Sequence, residues 1–189
     1  MTLKKNILSL TAGLFVSIAL LAQAQLPGMD KSPLDVCYYP LRYPNLKVQE
    51  TVKEPPVARV LYSRPKKEGR PVFGGLVEYG KLWRLGANEA TEIEFYRPVT
   101  IGGKKIPKGR YTLYAIVQEK DWTFIINRET DVWGTFKYDA AKDLVRVDAP
   151  VEQLNEPVEF LAMTFEKSDS GIDLVVAWEQ TKVALPIAL

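Results

Sequence analysis

Histidine does not occur anywhere in the 189 residues, and cysteine occurs once. Without imidazole there is no Ser-His-Asp or Cys-His relay, no His-ligated zinc, and no side chain that ordinarily titrates near neutral pH. Any chemistry therefore falls to carboxylates, lysine, tyrosine and arginine. One cysteine cannot close an internal disulfide, so stability has to come from an apolar core. Cys37 sits among Val36, Tyr38 and Tyr39 and reads as a packed side chain, because no base is available to make it a nucleophile. Beyond the N-terminus, no window of about 11 residues carries a helical period, and there is no internal repeat or low-complexity tract.

What is present begins with a leader. Lys4 and Lys5 precede an apolar run over residues 7–21, and Ala22-Gln23-Ala24 places small residues at both cleavage positions. This is the pattern of a secretory signal peptide, residues 1–24. The run is followed by Gln, Leu, Pro and Gly rather than a charged stop, so no stable membrane anchor is expected. Cys37 lies too far from the run for a lipoprotein site. The expected location is periplasmic or extracellular. Removal of the leader takes both units of the net charge of +2 with it and leaves about 165 residues, the size of one domain with a sizeable core. A balanced charge draws neither nucleic acid nor an anionic membrane at long range.

Residues 25–56 are rich in proline and hold Tyr38, Tyr39 and Tyr43, which suggests an extended N-terminal arm lying partly on the domain. The domain proper is expected over residues 57–189. Strands are read at 57–63 and 91–96, then at 99–101 ahead of a Gly102-Gly103 hairpin loop, and at 110–118 and 122–126. Four more follow at 144–147, 158–166, 172–179 and 183–187. The fold class expected is an all-β sandwich, with jelly-roll order as one arrangement and a closed barrel as the alternative.

The densest concentration of arginine, aromatic, amide and carboxylate side chains falls in residues 64–91, among glycines and prolines that forbid a long helix or strand. Shaped loops of this kind more often carry function than regular elements do. Residues 75–81 have the spacing of a phosphate-binding P-loop, but Leu82 stands where Ser or Thr is needed and no βαβ unit surrounds it. Arg59, Arg64, Lys66, Lys67 and Arg70 oppose only Glu68, which fits an anion site. The competing reading pairs Arg64 and Arg70 with acids such as Glu78 or Glu89 and leaves Lys66 and Lys67 on a solvated turn. Trp83, Tyr79 and Trp133 offer flat faces for a sugar, with Arg84, Asn88 and Glu89 around them, unless the tryptophans are core plugs. Glu89 with Glu92 would suit a glycosidase, although alternate carboxylates also dress any half-exposed strand. No dense oxygen-ligand loop suggests a metal, and no cofactor is expected.

Tyr62-Ser63-Arg64-Pro65, the Gly69-Arg70-x-Val72-Phe73-Gly74-Gly75-Leu76-Val77 run, Tyr79-Gly80-x-Leu82-Trp83-Arg84-x-Gly86-Ala87-Asn88-Glu89-Ala90-Thr91, Gly102-Gly103-Lys104 and Pro107-x-Gly109-x-Tyr111 together resemble a bacterial exported family, domain of unknown function twenty-nine eleven. Glu78 departs from it, since that position usually reads proline. The resemblance implies a secreted β-sandwich with no established activity. Relatives are sometimes labelled asparagine synthetase, but neither an N-terminal cysteine nucleophile nor a nucleotide site is visible here. The family's recurring loop residues, carried over as they stand, are Arg64, Arg70, Tyr79, Trp83, Arg84, Asn88, Glu89 and Thr91. The expectation is a non-enzymatic site for a small molecule, a glycan or a carboxylate, at residues 64–91. The alternatives are a carboxylate-dependent hydrolase, or an assembly module of the cell envelope using the tyrosine-rich arm.

Overall fold

Alternation of apolar and polar residues lays down antiparallel strands as the main regular element of the computed structural model, which describes residues 26–189. The segment read as a signal peptide, residues 1–24, lies outside the described residues. Strand β1 (Leu34–Tyr39) and a short helix α1 (Tyr43–Val48) precede β2 (Ala58–Ser63), β3 (Leu82–Trp83), β4 (Glu92–Phe95), β5 (Val99–Ile101) and β6 (Lys104–Ile106). They are followed by β7 (Gly109–Val117), β8 (Asp121–Asn127), β9 (Asp143–Ser168) and β10 (Gly171–Ala188). The sheet runs β1-β2-β4-β7-β8-β9-β10-β5-β6, with β3 attached to β7. Every pairing is antiparallel. Strands β1 and β6 end the sheet without pairing to each other, so the closed barrel is set aside and the all-β architecture stands.

One core joins the two ends of this sheet. Tyr111, Leu113, Ala115 and Val117 of β7 and Trp122, Phe124 and Ile126 of β8 point into it, as their alternation requires. From the far side come Leu161, Met163 and Phe165 of β9 and Ile172, Leu174, Val176 and Trp178 of β10. The Met163 amide donates to the Tyr62 hydroxyl at 2.9 Å, and the Tyr39 ring meets Phe165 edge-on at 6.3 Å. Strands β1 and β2 therefore lie against the bent β9–β10 ribbon, a packing compatible with a sandwich.

The last four expected strands are two. Residues 144–147 and 158–166 are parts of β9, and 172–179 and 183–187 are parts of β10. The linking residues 152–157 are mostly exposed, so no buried face imprints an alternation there, and Pro150 and Pro157 mimic a break. Register shifts around Glu179, which has φ of 54°, let the ribbon bend. The Gly102-Gly103 loop has φ of 54° and 74° and joins Ile101 to Lys104 as a two-residue hairpin.

Within residues 25–56, β1 pairs along β2 from Leu34 opposite Ser63 to Tyr39 opposite Ala58. Helix α1 carries a proline in its first turn, where the missing N–H costs nothing. Six residues cannot hold a helix alone, and the Tyr43 hydroxyl ties it back by donating to the Glu54 carbonyl at 3.2 Å.

Candidate functional site

The loop from β2 to β4 is held at three places. Residues 65–67 run beside β9, where the Lys67 amide donates to the Glu159 carbonyl and the Leu161 amide to that of Pro65. Residues 72–77 form a tight turn in which the Val77 amide donates to the Val72 carbonyl at 2.8 Å. A Cβ on Gly75 would lie 2.5 Å from the Pro71 carbonyl oxygen, so only glycine fits that turn. Glu179 on the bulge of β10 fastens the loop from below, accepting the Val72 amide at 3.3 Å and pairing with Lys67 Nζ at 3.1 Å.

After β3, residues 84–91 bulge from the edge of β7 as a small closed loop. The Thr91 amide donates to the Arg84 carbonyl across its neck. Inside, the Thr91 hydroxyl donates to the Leu85 carbonyl at 2.8 Å and the Trp83 indole to the Gly86 carbonyl at 3.1 Å. Leu85 is fully buried with φ of 56°, an uncommon backbone for leucine that the surrounding bonds hold in place.

These pieces enclose a cleft of about 360 Å³. Its walls include Lys31 from the arm, Lys66, Glu68, Arg70, Leu76 and Val77 from the loop, Trp83 from β3, Arg84 and Gly86 from the closed loop, and Trp178 from β10. Four cations thus face one acid. Arg70 donates Nε and Nη2 to the Lys67 and Lys66 carbonyls and lies 3.7 Å from Glu68. Arg84 is different: its Nε is buried without a hydrogen-bond partner, and burial pushes the guanidinium below its ordinary pKa.

The eight expected site residues separate into groups. Arg70, Trp83 and Arg84 line the cleft. Asn88, with φ of 57°, donates to Asp30 at 3.0 Å. It shares a shallow depression with Glu89 and Trp133 on another part of the surface. Tyr79 borders a third, beside Lys120 and Asp121. Arg64 and Thr91 are structural: Arg64 reaches Asp35 at 3.0 Å and donates Nε to the Leu161 carbonyl, while Thr91 is wholly buried. Arg64 and Arg70 pair with neither Glu78 nor Glu89. Trp83 stacks on Trp178 at 6.1 Å and meets Trp122 and Phe73 edge-on, so it is a core ring with little face to offer a sugar. Glu92 accepts the Asp131 amide and pairs with Arg110 at 3.5 Å, which commits it to holding the 129–132 segment.

The family model for a protein of unknown function (DUF2911) matches residues 44–187. The chain belongs to this family. Neither a curated protein nor a solved structure matches it.

In this DUF2911 protein, the Trp83-to-Thr91 string is mostly architecture: Trp83, Leu85, Gly86 and Thr91 build the closed loop, and of the string's buried side-chain polar atoms Arg84 Nε is the one without a hydrogen-bond partner. Lys31 and Trp178 join the cleft from far along the chain, and no local pattern announces either. Cys37 is packed on the core, and burial pushes its thiol up to about 12. Reaction with an aromatic disulfide reagent at about pH 8 is therefore expected to be slow in the folded DUF2911 domain and complete in denaturant. Fast labelling of the native protein would show that β1 opens readily.

Proposed function

We propose that this DUF2911 protein is exported and acts without catalysis as a receptor for a small organic anion held in the Arg84 cleft. The observation that carries the reading is the half-buried Arg84 with its partnerless Nε. A guanidinium partly removed from water without a counter-charge is costly; Arg84 pairs with no carboxylate among the described residues, and a carboxylate arriving in the cleft supplies the missing charge. Lys31 and Lys66, which pair with no carboxylate among the described residues, add attraction. Leu76, Val77 and the edge of Trp178 supply an apolar wall, so the ligand is a carboxylate on an apolar body. The buried setting of Trp83 weighs against a neutral glycan, and the engagement of Glu92 weighs against a two-carboxylate hydrolase.

The test is a thermal-shift series with benzoate, hexanoate, inorganic phosphate and a neutral disaccharide. The carboxylates are expected to stabilise the protein, by about 2.7 kcal/mol at a hundredfold excess over Kd, and the effect should fade as salt rises. A shift with the disaccharide alone, or none with either carboxylate, overturns the proposal.

A further inference from the structure

A second concavity, sharing no residue with the Arg84 cleft, lies on the arm side of the molecule. The rings of Tyr38, Tyr43 and Tyr96 and of Pro44, Pro55 and Pro56 line a groove of about 560 Å³. Tyr38 and Tyr43 lie nearly parallel, 26° apart with centroids at 6.1 Å. The groove's charged residues are Lys47 and Lys53, and neither pairs with a carboxylate among the described residues.

Two of the three hydroxyl groups are already occupied. Tyr43 donates to the Glu54 carbonyl, and Tyr96 donates to Glu94 Oε2 at 3.1 Å, a carboxylate also gripped by Arg59 at 2.7 Å. Burial, with Glu94 adding to it, pushes the Tyr96 hydroxyl up to about 12, so it stays a neutral donor at all ordinary pH. What remains for a ligand is the Tyr38 hydroxyl, ring faces and proline edges, with two cations at the rim. A glycan needs many free donors and acceptors, which this groove lacks. A polyproline II strand needs the reverse: it has no internal hydrogen bonds, it is preformed, and it docks in slots between aromatic ridges.

We propose that this groove is a docking site for a proline-rich peptide segment bearing acidic residues, whose rings pack against the tyrosine and proline side chains that line it while its carboxylates meet Lys47 and Lys53. The complementarity follows from a rim that is cationic and has no acid lining it. The arm builds much of the groove, Tyr38 and Tyr43 lying ahead of the family-matched residues 44–187.

Fluorescence anisotropy tests this with the whole protein and a labelled peptide of about eight prolines ending in two aspartates, the length that spans several polyproline turns. Saturable binding is expected, weakened by salt, and weaker by several-fold for the same peptide ending in lysines. Tyr43→Ala should abolish it. Because that variant also removes a tie to α1, Lys53→Glu serves as the second: the fold is unaffected at this exposed position, and affinity for the aspartate peptide should drop about fivefold while the lysine peptide gains. Arg84→Met should leave peptide binding unchanged, which separates this site from the anion cleft. Equal binding of both peptides, no binding of either, or binding of an acidic oligogalacturonate in place of the peptides overturns the proposal.

Discussion

Replacing Trp83 with alanine is expected to lower the stability by about 3–5 kcal/mol and the melting temperature by on the order of 10 °C in a domain of this size. The indole is 6% exposed and is packed by Phe73, Trp122 and Trp178, with ring centroids between 5.7 and 6.1 Å away. Alanine leaves a cavity among rigid rings that cannot collapse into it, and it deprives the Gly86 carbonyl of its donor. Urea unfolding followed by circular dichroism measures the loss. Trp133→Ala is the control: that ring is 59% exposed, and its removal should change stability by less than about 0.5 kcal/mol. Equal losses in the two variants would mean that the aromatic cluster does not hold the loop to the sheet. The same geometry makes Trp83→Ala a poor probe of binding, because loss of ligand and loss of fold would arrive together.

Most strands were legible where one face of the sheet is buried, whereas β1 and β3 are short pieces inside stretches whose prolines and glycines read as arm and loop. Ile93 and Phe95, or Trp122, Phe124 and Ile126, alternate with polar neighbours because water lies on one side and the core on the other. That signal fades in β9 where residues 152–157 meet solvent, so one continuous strand looked like two. Helix α1 was hidden for another reason: six residues carry too little periodicity to detect, and the prolines around them suggested an extended chain. The loop over residues 64–91 showed itself through glycine, cation and aromatic density, but not its internal division of labour. Arg64 finds Asp35 on β1, Lys67 finds Glu179 on β10, and Asn88 finds Asp30 in the arm. Each partner lies far away in the chain. Local sequence records that a loop is expensive; which of its polar groups are already satisfied depends on contacts that only the folded chain defines.

Arg84 is where that distinction becomes measurable. Arg84→Met should leave the free protein as stable as the original or more so, and should weaken carboxylate binding by about 30-fold or more, the usual cost of deleting one partner of a desolvated charge pair. The two effects share a cause. Burial opposes the charged guanidinium, its Nε has no partner in the protein, and methionine keeps the apolar stem while discarding the unpaid charge. Arg84→Lys retains a cation but loses the planar fork, so it should bind benzoate less tightly than arginine and more tightly than methionine. Melting curves recorded with and without saturating benzoate give the decisive pattern. Without ligand the methionine variant should melt no lower than the original, and with ligand the order should invert. A methionine variant that is less stable in both conditions would make Arg84 a structural residue, and one that binds benzoate undiminished would move the anion site elsewhere.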